Sequence, residues 1–325
     1  VGVPVVRVPA LRDQLGIIAQ RFFGANSADF KTIAVTGTNG KTSVCGLVAG
    51  ALSKLDGGCG YIGTLGSGRW GELTATKNTT PDIFTTHRMI SEFRGANLKT
   101  CALEASSHAL FQERLAGIEI DIAAFTNLSH DHLDYHGSLS AYAAAKKRLF
   151  DRQLNHAVIN MDDQIGEEIL RELGDLKSDR EDFRCPRIWR YSRNELSFSK
   201  YKEHASVDEL ICPQQVSVSL DGTRILCHTP VGQCEINSEL VGSYNVDNLL
   251  AALGILLALG NSPSQATAAL SNVAGIPGRL QRVAIAQPVG RDEHRQPMLP
   301  PHVFIDYAHS PDSLEKTLQT LTTLC

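Results

Sequence analysis

Several features that define common protein classes are missing from this sequence of 325 residues. Its longest apolar run, Leu249–Leu259, is too short to cross a bilayer, so we interpret it as a core helix. The formal net charge of −4 leaves no basic excess that would favour nucleic acid or a membrane surface. The eight cysteines include no C-x-x-C pair, which argues against a zinc site or a disulfide framework and predicts reduced thiols in a cytoplasmic protein.

A glycine-rich segment, V-T-G-T-N-G-K-T-S at Val35–Ser43, is the most informative part of the sequence. It follows a short apolar stretch and precedes an Ala/Leu/Val-rich one, the order of strand, turn and helix typical of a phosphate-binding loop. In such a loop, backbone N–H groups and the helix N-terminus surround phosphate oxygens, Lys41 reaches the terminal phosphates and Thr42 holds Mg²⁺. Val35 stands where the common form has glycine, so an ordinary glycine-rich turn is the alternative. The segment predicts binding of a nucleoside triphosphate.

Predicted strands and helices alternate through the first half of the chain, which indicates a mostly parallel α/β sheet covered by helices on both faces. Two of the strands are Lys99–Glu104 and Ile118–Thr126. Ligands of such sheets bind at the carboxyl ends of the strands. Because Gly37, Glu104 and Asn127 all lie at such ends, we expect one crevice to collect them.

The remaining segments predict additions to this α/β unit. Val5–Val8 and the residues after it predict a short strand and a helix, and the glycines of 57–68 predict a flexible or tightly turned stretch. Alternating residues around a hairpin turn signal predict that 183–239 is a small antiparallel insertion. The composition of Gly275–Gly278 is typical of a linker, and 303–324 predicts the first strand and helix of another α/β domain.

The segment H-D-H-L-D-Y-H at His130–His136 is the richest in metal-ligand side chains. A zinc hydrolase motif would read H-x-H-x-D-H, and here the third histidine falls one place late. A second interpretation is a polar loop with solvated histidines. In a third, one histidine joins Glu104 at a Mg²⁺ ion beside the phosphate-binding loop, although Mg²⁺ prefers oxygen ligands. The residues alone leave the last two interpretations open.

Lys146 lies on the apolar face of a predicted helix, Leu139–Phe150, together with Tyr142 and Leu149. A lysine at such a position must extend its ammonium group to water, form an ion pair or lose its charge. A neutral amine can take up CO₂ and become a carbamate, which would be an oxygen ligand for a cation. A lysine that extends to water is the alternative.

Other polar residues are candidates for ligand contacts. Ser106 lacks the G-x-S-x-G context of a nucleophile and is a candidate for hydrogen bonding to a substrate. The segment Asn78–Asp82 is typical of a helix start with capping side chains. Asn245 and Asn248 either cap the apolar helix or contact a base or ribose. Arg279 offers a cation to a phosphate, and a solvated charge is its alternative.

Seven segments together carry a resemblance to one family. They are TGTNGKTS, NTTPD, LEASSHAL, FTNLSHDHLDYHGSLSAYAAAKKRLF, GSYNVDNLLAALG, GIPGRLQRV and DYAHSPDSLEKTL. In these segments the chain resembles the ATP-dependent Mur ligases of peptidoglycan synthesis, most of all the members that add the third residue of the peptide. The resemblance implies a P-loop central domain at 25–277, the tail of a UDP-binding domain at 1–24 and the start of a Rossmann-like domain at 278–325.

The resemblance also implies a reaction. ATP phosphorylates the free D-glutamate carboxylate of UDP-N-acetylmuramoyl-L-Ala-D-Glu, and the amine of an amino acid, expected to be meso-diaminopimelate, then displaces phosphate to form an amide. The implied cofactors are ATP, Mg²⁺ and a carbamylated lysine, and the implied protein is a cytoplasmic monomer. The implied catalytic residues are Lys41, Glu104, His132 and Lys146, and the implied metal ligands are Thr42, Glu104, His132 and Lys146. The implied ATP contacts are Gly37, Thr38, Asn39, Gly40, Lys41, Thr42, Ser43, Asn245, Asn248, Arg279 and Asp306, and the implied substrate contacts are Asn78, Thr79, Thr80, Ser106, Gln112 and Arg114.

Two departures from the family pattern bear on activity. The chain begins at Val1 without a full uridine-binding domain, and it stops at Cys325 before the D-N-P-R motif that recognises the acceptor. We therefore expect a piece of a longer protein, without the residues that choose between diaminopimelate and lysine. Two other functions stay open: a P-loop hydrolase or kinase-like switch that forms no amide, and a nucleotide-binding remnant without turnover.

Overall fold

The computed structural model describes residues 4–24, 29–179, 182–194, 210–283 and 301–324. Within these residues, the strands form a large sheet of eleven and a separate pair. The strands are β1 (Lys31–Thr36), β2 (Gly60–Gly63), β3 (Gly66–Arg69), β4 (Glu72–Thr74), β5 (Thr100–Glu104), β6 (Ile122–Phe125), β7 (His156–Asn160), β8 (Arg187–Tyr191), β9 (Leu210–Ser219), β10 (Gly222–Thr229), β11 (Gly232–Ser238), β12 (Gln281–Val283) and β13 (Val303–Ile305).

Local signals account for where several helices begin. Asp82 and Ser138 each accept a hydrogen bond from a backbone N–H in the first helical turn, which satisfies a donor that the helix leaves unpaired. Ser262 forms a capping box, and Pro263 follows it at the first helical position. The described helices are α1 (Leu11–Phe23), α2 (Lys41–Leu55), α3 (Ile83–Gly95), α4 (Ser107–Phe111), α5 (Leu133–His136), α6 (Leu139–Lys147), α7 (Gln164–Asp179), α8 (Tyr244–Ala258), α9 (Pro263–Ser271) and α10 (Pro311–Leu324).

The large sheet has the strand order β11-β10-β9-β8-β7-β6-β1-β5-β2-β3-β4. The strands from β9 to β2 in this order pair in parallel, and antiparallel strands extend both edges. Strand β1 lies between β5 and β6, so the strands that follow β1 in the chain are added on both sides of it. Such a reversal of strand order is a switch point, and ligands of α/β sheets bind there. Glu104, at the end of β5, is in register with Val35 of β1. The predicted parallel α/β sheet is confirmed.

Apolar side chains pack on both faces of the sheet. Helices α2, α8 and α9 contribute to the cluster on one face, and α3, α4 and α7 contribute to the cluster on the other. The residues 249–258 of α8 are all buried, so the interpretation of the longest apolar run as a core helix is confirmed. No helix among the described residues is long and apolar enough to cross a membrane.

One prediction for the amino-terminal part was wrong, and one of two alternatives held in another. Residues 4–8 form no strand and are exposed. The glycine-rich stretch is not a flexible segment: it contains the antiparallel strands β2 and β3, joined by the tight turn that was the other alternative, and β4 follows it. Its glycines permit this pairing, since Gly66 has φ of 122° and a Cβ on it would lie 2.5 Å from the carbonyl oxygen of Thr74 on β4.

Two boundaries and the pairing of one strand also differ from prediction. Strand β6 begins at Ile122, four residues later than expected, and α6 ends at Lys147 rather than Phe150. The antiparallel hairpin of β9 and β10 is confirmed, but β8 pairs in parallel with both β7 and β9. The predicted antiparallel insertion on the sheet is thus confirmed for β9, β10 and β11, which extend one edge of the large sheet, whereas β8 belongs to its parallel part. Residues 195–209 of the predicted insertion lie outside the described residues.

Candidate active site

The phosphate-binding loop joins β1 to α2 and is held by the residues that follow β6. Thr38 N donates a hydrogen bond to Asn127 O at 2.8 Å, and Asn39 N donates to Asn127 Oδ1 at 2.9 Å. Thr126 Oγ1 donates to Asn39 O at 2.6 Å. Gly37 has φ of 148°, and a Cβ on it would collide with the Thr126 hydroxyl, so this position needs glycine. The neighbouring strand end thus gives the loop a defined shape.

Lys41 opens α2 and turns its side chain back over the loop. Its Nζ donates hydrogen bonds to the carbonyl oxygens of Gly37 and Thr38, both at 2.8 Å. Burial lowers the pKa of Lys41, and the negative charge of Glu104 partly opposes this effect. A phosphate group in the loop would give this ammonium group the anionic partner that two carbonyls do not supply. Ser43 is buried in the same helical turn.

Glu104 is a fully buried carboxylate that accepts four hydrogen bonds. Its Oε1 accepts from Tyr61 OH at 2.6 Å and from Thr64 N at 2.9 Å. Its Oε2 accepts from the hydroxyls of Thr42 at 3.0 Å and Thr64 at 3.2 Å. Burial and the charge of Glu104 both raise the pKa of Tyr61, so the phenol remains a donor. A carboxylate and a hydroxyl side by side at the start of α2 fit the preference of Mg²⁺ for oxygen ligands.

Lys146 is buried beside the phosphate-binding loop, with 1% of its surface exposed. Its Nζ donates a hydrogen bond to Gly37 O at 2.6 Å and lies 4.3 Å from the ring centroid of Tyr142. Burial lowers the pKa of Lys146 well below its usual range; the charge of Lys41 adds to this effect and that of Asp131 opposes it. The side chain does not extend to water, so that alternative is wrong. A neutral buried amine is the form that can take up CO₂.

His132 lies at the rim of this group, with 45% of its side chain exposed. It has φ of 50°, and its Nε2 is 3.5 Å from Asp131 Oδ2. Its ring centroid is 6.0 Å from that of Tyr142 and 4.9 Å from that of His108. Among the residues that the structure describes, no three His, Cys, Asp or Glu side chains cluster as a metal site. The role of His132 as a metal ligand therefore stays a prediction.

All of the predicted substrate residues except Asn78 lie in one hydrogen-bonded network next to Glu104. Thr80 Oγ1 donates to the backbone carbonyl of Glu104 at 2.6 Å and lies within hydrogen-bond distance of Ser106 Oγ, at 3.2 Å. Arg114 Nη1 donates to Thr80 O at 2.7 Å, and Arg114 Nη2 donates to Gln112 Oε1 at 2.7 Å. Ser106 also caps α4. The residues in this network or on the same loop are Asn78, Thr79, Thr80, Ser106, Gln112 and Arg114.

Arg279 and Asn248 reach the start of α2 from another side. Arg279 Nη2 donates to Thr42 Oγ1 at 2.9 Å. Asn248 Nδ2 donates to Asn245 Oδ1 at 2.9 Å, and its Oδ1 lies 2.5 Å from where a Cβ on Gly40 would be. Neither asparagine caps α8, because the residue at the cap position is Ser243. The capping alternative is thus wrong, and the asparagines remain candidates for nucleotide contacts.

Asp306 ties the strand pair to the segment that carries Arg279. Its Oδ2 accepts a hydrogen bond from Leu280 N at 2.6 Å, and its Oδ1 accepts from Ala308 N at 2.8 Å. The contact of Asp306 with ATP stays a prediction.

Tyr61 and Thr64 are site residues that the sequence reasoning missed, since no motif marks them within their glycine-rich stretch.

Asp247, in the first turn of α8, gives the protein a testable pH dependence. Its Oδ1 lies 3.5 Å from Arg193 Nε, and burial raises its pKa from 3.8 to about 6 despite that cation. The folded state therefore binds the proton more tightly, and it loses stability as the pH rises from about 4 through 6.

We expect Asp247→Asn to remove this loss. Its unfolding free energy relative to the wild type should rise by up to about 3 kcal/mol between pH 4 and pH 7, measured by urea denaturation. Replacement of the exposed Asp175 by asparagine is the control, since it removes no buried charge. A difference between Asp247→Asn and wild type that stays constant with pH would contradict the prediction.

Comparisons with known proteins match this chain to a family of ligases. A family model described as the Mur ligase middle domain matches residues 35–256. The UDP-N-acetylmuramoyl-L-alanyl-D-glutamate–2,6-diaminopimelate ligase of Pseudomonas syringae pv. tomato is 41% identical over 320 residues, which cover 98% of this chain and 59% of that protein. The ligase of the same name from Chromobacterium violaceum is 38% identical over 320 residues, which cover 98% of this chain and 58% of that protein. The chain thus spans about three-fifths of the length of these curated relatives.

Solved structures share the fold. The structure of a UDP-N-acetylmuramoyl-L-alanyl-D-glutamate–2,6-diaminopimelate ligase matches with a TM-score of 0.78 at 33% identity, over 98% of this chain and 59% of that one. Folylpolyglutamate synthase of Mycobacterium tuberculosis, complexed with ADP and AMPPCP, matches with a TM-score of 0.70 at 18% identity, over 95% of this chain and 70% of that one, which is a likeness of fold alone. From the family model and the identity to these relatives, the chain belongs to the Mur ligase family.

Proposed function

We propose that this chain carries the ATP-binding centre of a ligase that adds meso-diaminopimelate, as the third amino acid, to UDP-N-acetylmuramoyl-L-Ala-D-Glu. The supporting observation is the double role of Glu104. Its carboxylate accepts the hydroxyl proton of Thr42 at the phosphate-binding loop, and its backbone carbonyl accepts that of Thr80 in the substrate network. Nucleotide and acceptor carboxylate can therefore meet at one strand end. The curated relatives, which are named for this reaction, support the assignment.

The chain's own residues position the reactants and neutralise charge. A D-glutamate carboxylate oxygen attacks the γ-phosphorus of ATP and ADP leaves, so that an acyl phosphate forms. The amine of the incoming amino acid then attacks the acyl carbon, and phosphate leaves as the amide forms. Lys41 and Arg279 supply positive charge at the phosphates. Arg114 donates a hydrogen bond to the backbone carbonyl of Thr80, whose hydroxyl and that of Ser106 can contact the substrate. Most of the rate enhancement would come from positioning and from this charge.

Mg²⁺ would supply further neutralisation of the phosphate charge when bound. Thr42 and Glu104 have the hydroxyl and carboxylate oxygens to hold one ion. For a second ion, we propose Glu104, His132 and the carbamate of Lys146. The buried amine of Lys146 supports this assignment, because its lowered pKa favours the neutral form that reacts with CO₂.

We further propose that the protein works in the cytoplasm as a monomer, with no nucleic acid or membrane partner. The cysteines support a reducing compartment: in the part of the chain that the structure describes, seven of them form no disulfide. The formal net charge of −4 supports the absence of a polyanionic partner.

Phosphate release from ATP and Mg²⁺ tests the proposed function. The assay contains the UDP-linked precursor with meso-diaminopimelate, with L-lysine, or with neither, and we expect release only with precursor and meso-diaminopimelate together. Release without the precursor would instead favour a P-loop hydrolase. Release with precursor and L-lysine would mean that the acceptor is lysine rather than meso-diaminopimelate. ATP binding without release would favour the non-catalytic alternative.

A matched pair of variants on α2 strengthens this assay. Lys41→Ala should lower phosphate release by about 10²–10³-fold, because it removes a preorganised cation from the phosphates. Lys54→Ala, at an exposed position in the last turn of the same helix, should leave release unchanged. Equal rates in the two variants would contradict the role of Lys41.

A further inference from the structure

Two cysteines face each other across the hairpin of β10 and β11. Cys227 is in register with Cys234, and the two strands are antiparallel. The Cα atoms of directly opposed residues in such a pair lie about 4.5–5.5 Å apart. Disulfides join Cα atoms that are about 4.4–6.8 Å apart. The backbone of the hairpin therefore already meets the distance that a disulfide requires.

The two thiols are in contact and differ in accessibility. Cys227 is fully buried, whereas Cys234 is partly exposed. A hydrogen bond between the two thiols raises the pKa of Cys227, and its burial adds to this effect. The same hydrogen bond lowers the pKa of Cys234, and burial only partly opposes it. Cys234 is thus the accessible nucleophile, and the protonated thiol of Cys227 is in contact with the sulfur of Cys234.

We propose that Cys227 and Cys234 form a reversible disulfide when the protein meets a low-molecular-weight disulfide as oxidant. The thiolate of Cys234 attacks one sulfur of the oxidant, whose S–S bond breaks, so that a mixed disulfide forms and one thiolate leaves. Cys227 then loses its proton to solvent and attacks the sulfur of Cys234, which releases the second thiolate. Two protein thiols are oxidised and one disulfide is reduced to two thiols, so atoms and electrons balance.

The residues around the hairpin favour a disulfide between Cys227 and Cys234 over a disulfide with Cys212 or a metal site. Cys212 on β9 is in register with His228 rather than with Cys227, whose partner on β9 is Pro213. Within the described residues, no cluster of three metal-ligating side chains includes the two thiols. In the large sheet β6, β7, β8 and β9 lie between β1 and β10, so the pair is distinct from the phosphate-binding loop that follows β1. The proposal therefore does not depend on the proposed ligase activity.

Thiol mapping by mass spectrometry tests the disulfide. Reduced protein is incubated with oxidised glutathione, the remaining thiols are alkylated after denaturation, and the peptide that contains both cysteines is analysed. In wild type, we expect this peptide to be lighter by two hydrogens, to carry no alkyl group on Cys227 or Cys234, and to regain both sites after dithiothreitol. Cys227→Ala should stop at a glutathione adduct on Cys234, and Cys234→Ala should give neither product. Cys185→Ala is the matched control and should behave as wild type.

Three results would overturn the proposal: unchanged alkylation of both cysteines after the oxidant, a bond between Cys212 and Cys227, or a glutathione adduct on Cys234 that persists in wild type. The wild-type measurement needs no substitution, so it decides the question even where a variant folds poorly.

Discussion

Replacing Lys146 by alanine is expected to lower ligase turnover by about 10²–10³-fold, because the reaction then loses a preorganised group at the phosphates. Lys146 is buried, and its Nζ donates a hydrogen bond to Gly37 O of the phosphate-binding loop. As a carbamate it would be an oxygen ligand for a cation, and alanine cannot replace it. Steady-state phosphate release with the UDP-linked precursor and amino acid measures the effect.

Lys147→Ala is the matched control for this prediction. Lys147 is adjacent in sequence, but its Nζ pairs with Glu168 at 3.2 Å and with Glu172 at 2.5 Å. These contacts join α6 to α7 and do not touch the phosphate-binding loop. Loss of such partly exposed ion pairs costs at most about 1 kcal/mol of stability, and we expect turnover to be kept.

Two further measurements test the carbamate itself. Protein equilibrated with ¹³C-bicarbonate should show a carbamate carbon signal that Lys146→Ala lacks and Lys147→Ala retains. A small carboxylate such as acetate should restore part of the turnover of Lys146→Ala, because it can supply the missing oxygen ligand. Wild-type turnover in Lys146→Ala would contradict the role of this residue, and an absent ¹³C signal in active wild type would contradict the carbamate.

The parts of the site that the sequence predicted depend on local patterns. The glycine-rich motif identified the loop and Lys41, and the carboxylate at the end of a predicted strand identified Glu104. The helical spacing of Tyr142 and Lys146 predicted a lysine on an apolar face, and both residues are buried in the structure. Each of these signals lies within a few residues of the side chain that it identifies, so no knowledge of distant contacts was needed.

The parts that were missed depend on pairing between distant segments. Glycine has no side chain to alternate between two faces, so β2 and β3 gave no strand pattern although with β4 they form a sheet edge. Tyr61 lies in this edge, and its hydrogen bond to Glu104 spans 43 residues of sequence. The parallel pairing of β8 with β9 likewise follows from the register of the sheet and not from either segment alone. The role of His132 lies between these cases: its motif left a metal ligand and a solvated histidine open, the family resemblance implied the ligand, and the structure leaves the side chain at the rim of the site.

Glu104→Gln is expected to remove the Mg²⁺ dependence of ATP binding and to lower turnover by about 10³-fold, since it replaces the charged side chain that we propose as a metal ligand by a neutral amide. The variant should fold. The amide oxygen can accept the hydrogen bonds that Tyr61 and Thr64 N donate to Oε1. The hydroxyls of Thr42 and Thr64, which now donate to Oε2, can rotate to accept from the amide N–H groups. Loss of function in this variant therefore reports on charge rather than on packing.

Tyr61→Phe is the matched control, because it removes one hydrogen bond to Glu104 and keeps the carboxylate charge. A hydrogen bond to a charged group contributes about 1.5–3 kcal/mol, so this variant should lose no more than about 10²-fold in turnover, less than Glu104→Gln. Titration calorimetry of ATP at several Mg²⁺ concentrations separates the two effects: wild type and Tyr61→Phe should bind ATP more tightly as Mg²⁺ rises, whereas Glu104→Gln should show a flat response. Binding by Glu104→Gln that strengthens with Mg²⁺ as in wild type would mean that the ion is held without this carboxylate, and the proposed metal centre at the end of β5 would then be wrong.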